Sequence, residues 1–201
     1  MRSNRFIPLA VLLSALISAA AQTAAPASSI DAALLAKAKT GDAAAQVAVG
    51  EQYAQAAANE HGKAQIAADY QQELAWYSKA AEQHSIPGEM HLAALYRDGA
   101  GTAIPRDMEQ AAAWYRKAAD QGDVTAQGTM GVLYLFGQGV PQNYVEAYFW
   151  LDLAASVAGP DQQKYAANRQ MVGQHLTTDD VSAVEDRVEA WKSAHPRAGN
   201  N

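Results

Sequence analysis

The chain has no cysteine among its 201 residues. That excludes disulfides, thiolate zinc sites, a cysteine nucleophile and lipidation at cysteine. Phenylalanine is scarce, with three copies, and β-branched runs are few, so a sheet has little to build on. No apolar run reaches the ~20 residues that a membrane-spanning helix needs. Positive charge is also short: 15 Lys and Arg against 21 Asp and Glu give a formal charge of −6. That balance argues against nucleic acid as a partner and for a solvated acidic surface.

What the chain does have is alanine, 46 copies by count. Alanine is the best helix former and lets helices approach closely, so the expected class is all-α. The first 21 residues read separately. Arg2 and Arg5 precede an apolar stretch from Phe6 to Ile17, and Ala19-Ala20-Ala21 supplies a small-residue cleavage site. The expectation is a signal peptide over 1–21 and export to the periplasm or the medium, with no stable membrane insertion after cleavage. Loss of Arg2 and Arg5 would take the formal charge from −6 to −8.

An internal repeat dominates the rest. "ELAWYSKAAE" (73–82), "AAAWYRKAAD" (111–120) and "AYFWLDLAAS" (147–156) place Trp76, Trp114 and Trp150 at intervals of 38 and 36 residues. Each Trp lies seven residues after a candidate N-cap, Asp69, Asp107 or Asn143, and just before an alanine pair. This predicts the second helix of a helix pair, with Trp76, Trp114 and Trp150 filling grooves made by the alanines. A first helix precedes each. "AQVAVGEQY" (45–53), "GEMHLAALY" (88–96) and "AQGTMGVLY" (126–134) align small and apolar residues and end on Tyr53, Tyr96 and Tyr134. Their i, i+4, i+5, i+8 spacing is a single helical face. Gly99 and Gly137 suit the left-handed residue beyond a helix end, and Pro105 and Pro141 stop backward extension of the next helix. The first unit lacks that turn, and residues 54–69 read as an inserted loop.

"A-x-x-W-Y-x-x-A-A", "L-G-x-x-Y" and "G-x-G-V" at this period resemble Sel-1-like repeats, relatives of the tetratricopeptide repeat. The resemblance implies an α-solenoid of helix-turn-helix repeats with helical caps. It divides the chain into a linker and capping helix (22–40), repeats at 41–85, 86–122 and 123–159, capping helices (160–195) and a disordered tail (196–201). Within the caps, Val181, Val184, Val188 and Trp191 form one apolar stripe, behind an N-cap at Thr177 or Thr178.

No catalytic constellation is legible. His61, His84, His91, His175 and His195 never pair at i, i+4, and the nearest cluster (Glu82, His84, Glu89, His91) reads as surface residues around an inter-repeat turn. No metal and no cofactor is expected. The G-x-G pairs at 99–101 and 137–139 recur as structural turns rather than phosphate cradles. The family resemblance implies a non-catalytic interaction scaffold for a protein or peptide. The alternative it leaves open is an envelope enzyme or accessory factor acting on peptidoglycan or β-lactam-like ligands. By analogy with the tetratricopeptide arrangement, the first helices line the binding groove, which points to Glu51, His91, Arg97 and Leu135. There Arg97 would serve a carboxylate and Leu135 would be the exposed apolar anchor. For the leader, the expected outcome is a mature N-terminus near Gln22 in an intact-mass measurement of the exported protein. Met1 retained in a membrane pellet would contradict the export reading.

Overall fold

The computed structural model describes residues 30–59, 63–157 and 159–196. The expected leader, residues 22–29 of the linker and residues 197–201 of the tail lie outside the described residues. Among the described residues there are nine helices and no strand: α1 (Ala32–Lys39), α2 (Ala43–Asn59), α3 (Lys63–Glu82), α4 (Ile86–Asp98), α5 (Met108–Asp120), α6 (Val124–Phe136), α7 (Tyr144–Ala155), α8 (Gln162–Gly173) and α9 (Thr178–Ala194). They form two compact units, one holding α1 to α3 with residues 100–104, the other holding α4 to α9.

In the first unit, Asp31 caps α1 by accepting from the Ala33 and Leu34 amides at 2.8 and 2.9 Å. Asp42 caps α2 through the Ala45 amide, 2.9 Å. Such caps satisfy amide donors that the first turn leaves without carbonyl partners. Ala38, Ala45, Val49, Tyr53 and Trp76 make the core, with Ile30, Leu34 and Leu35 packed around it. The contact that fixes this pair is at Gly50. A Cβ there would stand 2.5 Å from the Tyr77 ring, so only glycine lets α2 and α3 close. The residue after the tryptophan fills the groove at Gly50, while Trp76 itself lies buried with Ala38 and Ala45.

Two further expectations fail here for one reason. Asp69 is not an N-cap, and 54–69 is not a loop. α2 runs on through Asn59 and α3 begins at Lys63, so Asp69 lies inside α3, buried, accepting from Gln65 Nε2 at 2.9 Å. The stretch is rich in alanine and carries no proline, so its described residues propagate helix; residues 60–62 lie outside the described set.

In the second unit the expected caps hold. Asp107 accepts from the Gln110 amide at 2.9 Å, and Asn143 from the Glu146 amide at 3.1 Å. Thr177 and Asp180 form a reciprocal capping box at the start of α9. Gly137 ends α6 at φ +64°, and a Cβ on Gly139 would strike the Met108 carbonyl oxygen at 2.0 Å. The Tyr96 and Tyr134 carbonyls accept from the Asp107 and Asn143 amides (2.8 and 3.0 Å), so turns of different length enter the second helix in one way. Gly131 repeats the role of Gly50: a Cβ would meet Leu151 Cγ at 2.5 Å and the Ala147 carbonyl oxygen at 3.2 Å. Val184 and Val188 of α9 are buried in the core of this unit, and α9 packs against α7.

The turn from α3 departs from the repeat. Gly41 and Gly122 take positive φ at the turns after α1 and α5, and the corresponding residue after α3 is His84, at φ +59°. A side chain there is disfavoured relative to glycine.

The three tryptophans are not equivalent. Trp76 and Trp150 are buried, whereas Trp114 is half-buried with Lys117 Nζ 3.4 Å above its ring, and its neighbour Tyr115 takes the buried position. Trp150→Ala is therefore expected to cost about 3–5 kcal/mol, and Trp114→Ala roughly 1 kcal/mol. Thermal melts followed by circular dichroism check the order. Equal losses would show that Trp114 is as deep as Trp150.

Candidate functional site

The residues expected to bind a partner are divided between the two units. Glu51 is exposed on α2 in the first unit. His91 is half-buried on α4 in the second. Leu135 lies in the core at 6 % exposure, so the expectation of an exposed anchor there is corrected. Its neighbour Phe136 is 60 % exposed. The cause is register: residues 100° apart on a helix share the apolar run but not the same face, and α6 ends at Gly137 with Phe136 already outside the packing.

Arg97 is the one that lies in a cleft. Its guanidinium grips Asp98 through Nε and Nη2, at 2.8 and 2.7 Å, and Nη1 donates to the Tyr115 hydroxyl at 2.9 Å. The hydrogen bond to Asp98 holds Arg97 above its ordinary pKa, and the hydrogen bond from Arg97 holds the Asp98 carboxyl below the usual range. Arg106 adds a second positive field at Asp98. Together with Met108, Val132 and Gln138 these residues line a cleft of about 440 Å³ within the second unit. Phe136 lies four residues beyond Val132 on α6, on the face that carries Thr129 and Val132 into this cleft. The arrangement offers fixed cationic donors beside apolar surface, and no nucleophile and base in hydrogen-bond reach of one another. Arg106, Val132 and Gln138 carry no sequence signal beyond their place in the turn and the helix.

The Glu82–His91 cluster is also redistributed. Glu82 and His84 are exposed in the first unit, whereas Glu89 is fully buried in the second and accepts from Gln121 Nε2 at 2.6 Å. Glu89 is thus no surface residue. It occupies the repeat position held elsewhere by Gln46 and Gln127, which donate to the Ala38 and Ala119 carbonyls at 3.1 and 3.3 Å. Each of the two glutamines ties a first helix to the end of the helix before it. Among the described residues no group of three or more His, Asp or Glu side chains is placed to hold a metal ion.

Glu73 is the functional oddity that the sequence shows but does not explain. The repeat puts Ala111 and Ala147 at this position, both completely buried, and the first unit puts a carboxyl there at 7 % exposure. Burial raises its pKa to about 7 from the ordinary 4.5. Tyr77, one turn on, is pushed up by burial, then by Glu73 and by Glu51. The acids that share this field are therefore Glu73 and Glu51.

Stacked helix pairs with this register define an all-α repeat protein, and the comparisons place it. The Sel1 repeat model matches residues 43–85, 87–123 and 125–156. The chain belongs to the Sel1 repeat family, and its fold class is the expected α-solenoid of helix-turn-helix repeats. Among solved structures it is similar to c5321, a protective antigen of uropathogenic Escherichia coli strains displaying an SLR fold, with 22 % identity and a TM-score of 0.53 over 81 % of this chain. The chain spans 40 % of that protein's length. It is also similar to a Sel1 repeat protein from Oxalobacter formigenes, with 26 % identity and a TM-score of 0.54, covering 66 % of this chain and 92 % of the other. No curated protein matches the chain. Sel1 repeats are generally protein–protein interaction modules. Among the described residues no helix is long and apolar enough to cross a membrane.

Glu73 yields a pH prediction. Its folded pKa lies above its unfolded value, so the folded chain holds a proton that the unfolded chain releases. The stability it lends is fully present below about pH 4.5 and is lost as pH rises through about 7. Melts between pH 5 and 8 are expected to show a falling Tm in the wild type. In Glu73→Ala the fall shrinks and Tm at pH 8 is higher. A variant with the wild-type pH profile would show that the carboxyl is hydrated in both states.

Proposed function

We propose that the protein is a non-catalytic interaction module of the cell envelope, exported by its N-terminal leader, and that the α4–α6 face of its second unit takes a segment of a partner protein. The observation that carries this reading is the cleft in which Arg97 is pre-set by Asp98 and Tyr115, beside Phe136 at 60 % exposure. A guanidinium already fixed in direction loses less side-chain entropy when it meets a carboxylate. Phe136 adds an aromatic ring at 60 % exposure on the α6 face that enters this cleft, where an apolar group of a partner can pack. An acidic group on the partner would meet Arg97 and Arg106, and an apolar group would cover Phe136. The cysteine-free composition, the lack of paired histidines and the absence of a nucleophile–base pair in the cleft all support scaffolding over hydrolysis.

The test is capture of partner protein from an envelope extract by wild type and variants. Phe136→Ser and Arg97→Ala are expected to lower capture by about tenfold each, the equivalent of ~1.4 kcal/mol, with melting curves near wild type. Leu135→Ala is expected to lose binding only because it melts, since it removes a core side chain. Full capture by both surface variants would dispose of this face as the site.

A further inference from the structure

Among the described residues the last first-type helix, α8, has no second helix packed on it as α7 packs on α6. Gln162 Nε2 donates to the Ala155 carbonyl at 3.2 Å, the bond that Gln46 and Gln127 make in their repeats. This makes α8 a fourth copy of the first helix. Counting from Gln162, Tyr165 falls where Val49, Leu92 and Met130 are buried, and it is buried too. Ala166 falls where Gly50, Ala93 and Gly131 receive the second helix. Gln170 corresponds to Leu135, and Met171 to Phe136.

The seam on α8 is uncovered. Gly131 and Leu135 are buried under α7, whereas Ala166 is half-exposed and Gln163 and Gln170 are exposed. The chain continues into α9, which packs against α7 through Val184 and Val188. What remains is a cleft of about 630 Å³, floored by Tyr148, walled by Gln163, Ala166, Ala167 and Gln170 on α8 and by Val181 on α9, with Arg169 in its lining held by Asp152 of α7. Gly173 approaches Tyr148 closely, since a Cβ there would lie 3.2 Å from the ring. Met171, 42 % exposed, stands on the same helix.

We propose that this seam is a docking site for one helix of a partner protein, taken up as a repeat takes up its own second helix. The argument is continuity with the interface built inside the repeats. There the incoming helix sets a small residue and, four positions later, a large one against the first helix: Ala111 with Tyr115, and Ala147 with Leu151. An occupant of the α8 seam therefore carries a small residue and a large apolar or aromatic one at i, i+4 on one face. Gln163 and Gln170, with amides that both donate and accept, suit polar positions on the flanks of such a helix. The site is separate from the α4–α6 cleft and stands whether or not that cleft binds.

A labelled peptide of residues 107–120, which has the Asp107 cap and the Ala111–Tyr115 pair, is the probe. Titrated with the full chain, it is expected to bind saturably at one site and to gain helical circular dichroism, because so short a helix is marginal alone. Ala167→Trp and Gln170→Trp, each placing bulk in the cleft from an exposed position, are expected to weaken binding at least about tenfold with unchanged melting. A peptide carrying Tyr115→Ser is expected to bind at least about tenfold more weakly. Absence of saturable binding, or wild-type affinity in both tryptophan variants, would overturn the assignment. Concentration-dependent self-association of the wild type that both variants abolish would also overturn it, since the occupant would then be a second copy.

Discussion

The close approach of one backbone to one large side chain holds the first and third helix pairs. At Gly50 and Gly131 the first helix has no Cβ, and the Tyr77 ring and the Leu151 side chain occupy the space one would need. Glycine inside a helix costs roughly 1 kcal/mol of propensity, so the packing must return more than that. It does so by letting two helices meet at backbone distance, where alanines such as Ala111, Ala147 and Ala154 are completely buried. The abundance of alanine follows from this geometry.

A second link joins one repeat to the next. Gln46 and Gln127 reach back to the carbonyls of Ala38 and Ala119, which sit near helix ends where carbonyl groups lack partners in their own helix. A buried side-chain amide can supply that bond without charge. Glu89 takes the same repeat position but accepts from Gln121 at the end of the following helix, α5, as Gln46 accepts from Gln83 at the end of α3. Most of the exceptions to the repeat gather between Asp69 and Glu89: a buried Glu73 for alanine, His84 for glycine, Glu89 for glutamine. Each breaks a local preference that the other copies obey, and such breaks mark strain or function more often than accident.

The helix pairs were legible because their signals are periodic and redundant. The caps at Asp107 and Asn143, the breakers at Gly137 and Pro141 and the recurrent tyrosines agree with one another. At Asp69 the cap residue is present but no breaker precedes it, so a side chain that can cap ended up inside a helix instead. The choice between neighbours was beyond pattern reading. Trp114 against Tyr115, and Leu135 against Phe136, differ by one residue, or 100° around a helix. Periodicity places a face to within about that angle, and only packing decides which neighbour is covered. The cleft around Arg97 was less legible still. Arg106, Val132 and Gln138 come from a turn, a helix and a helix end whose proximity depends on the fold.

Function in this protein is therefore best sought where the repeat fails to fill its own positions. Phe136 and Met171, the large apolar side chains left exposed among the described residues, fall at the same repeat position on α6 and α8. On α6 that residue extends a helix face running into a cationic cleft, while on α8 it accompanies a seam that no second helix covers. A repeat array extends itself by offering each new helix pair the surface that the last one exposes. With α9 packed on α7, the surface offered by α8 is left over among the described residues. Its chemistry is already specified by the repeats, since the same register that selects Leu151 for Gly131 selects what fits against Ala166. The two surfaces then differ in kind. In the proposed reading the Arg97 cleft would select by charge and an exposed ring and the α8 seam by the shape of a helix. One unit would then hold two different partners without either competing for the other's contacts.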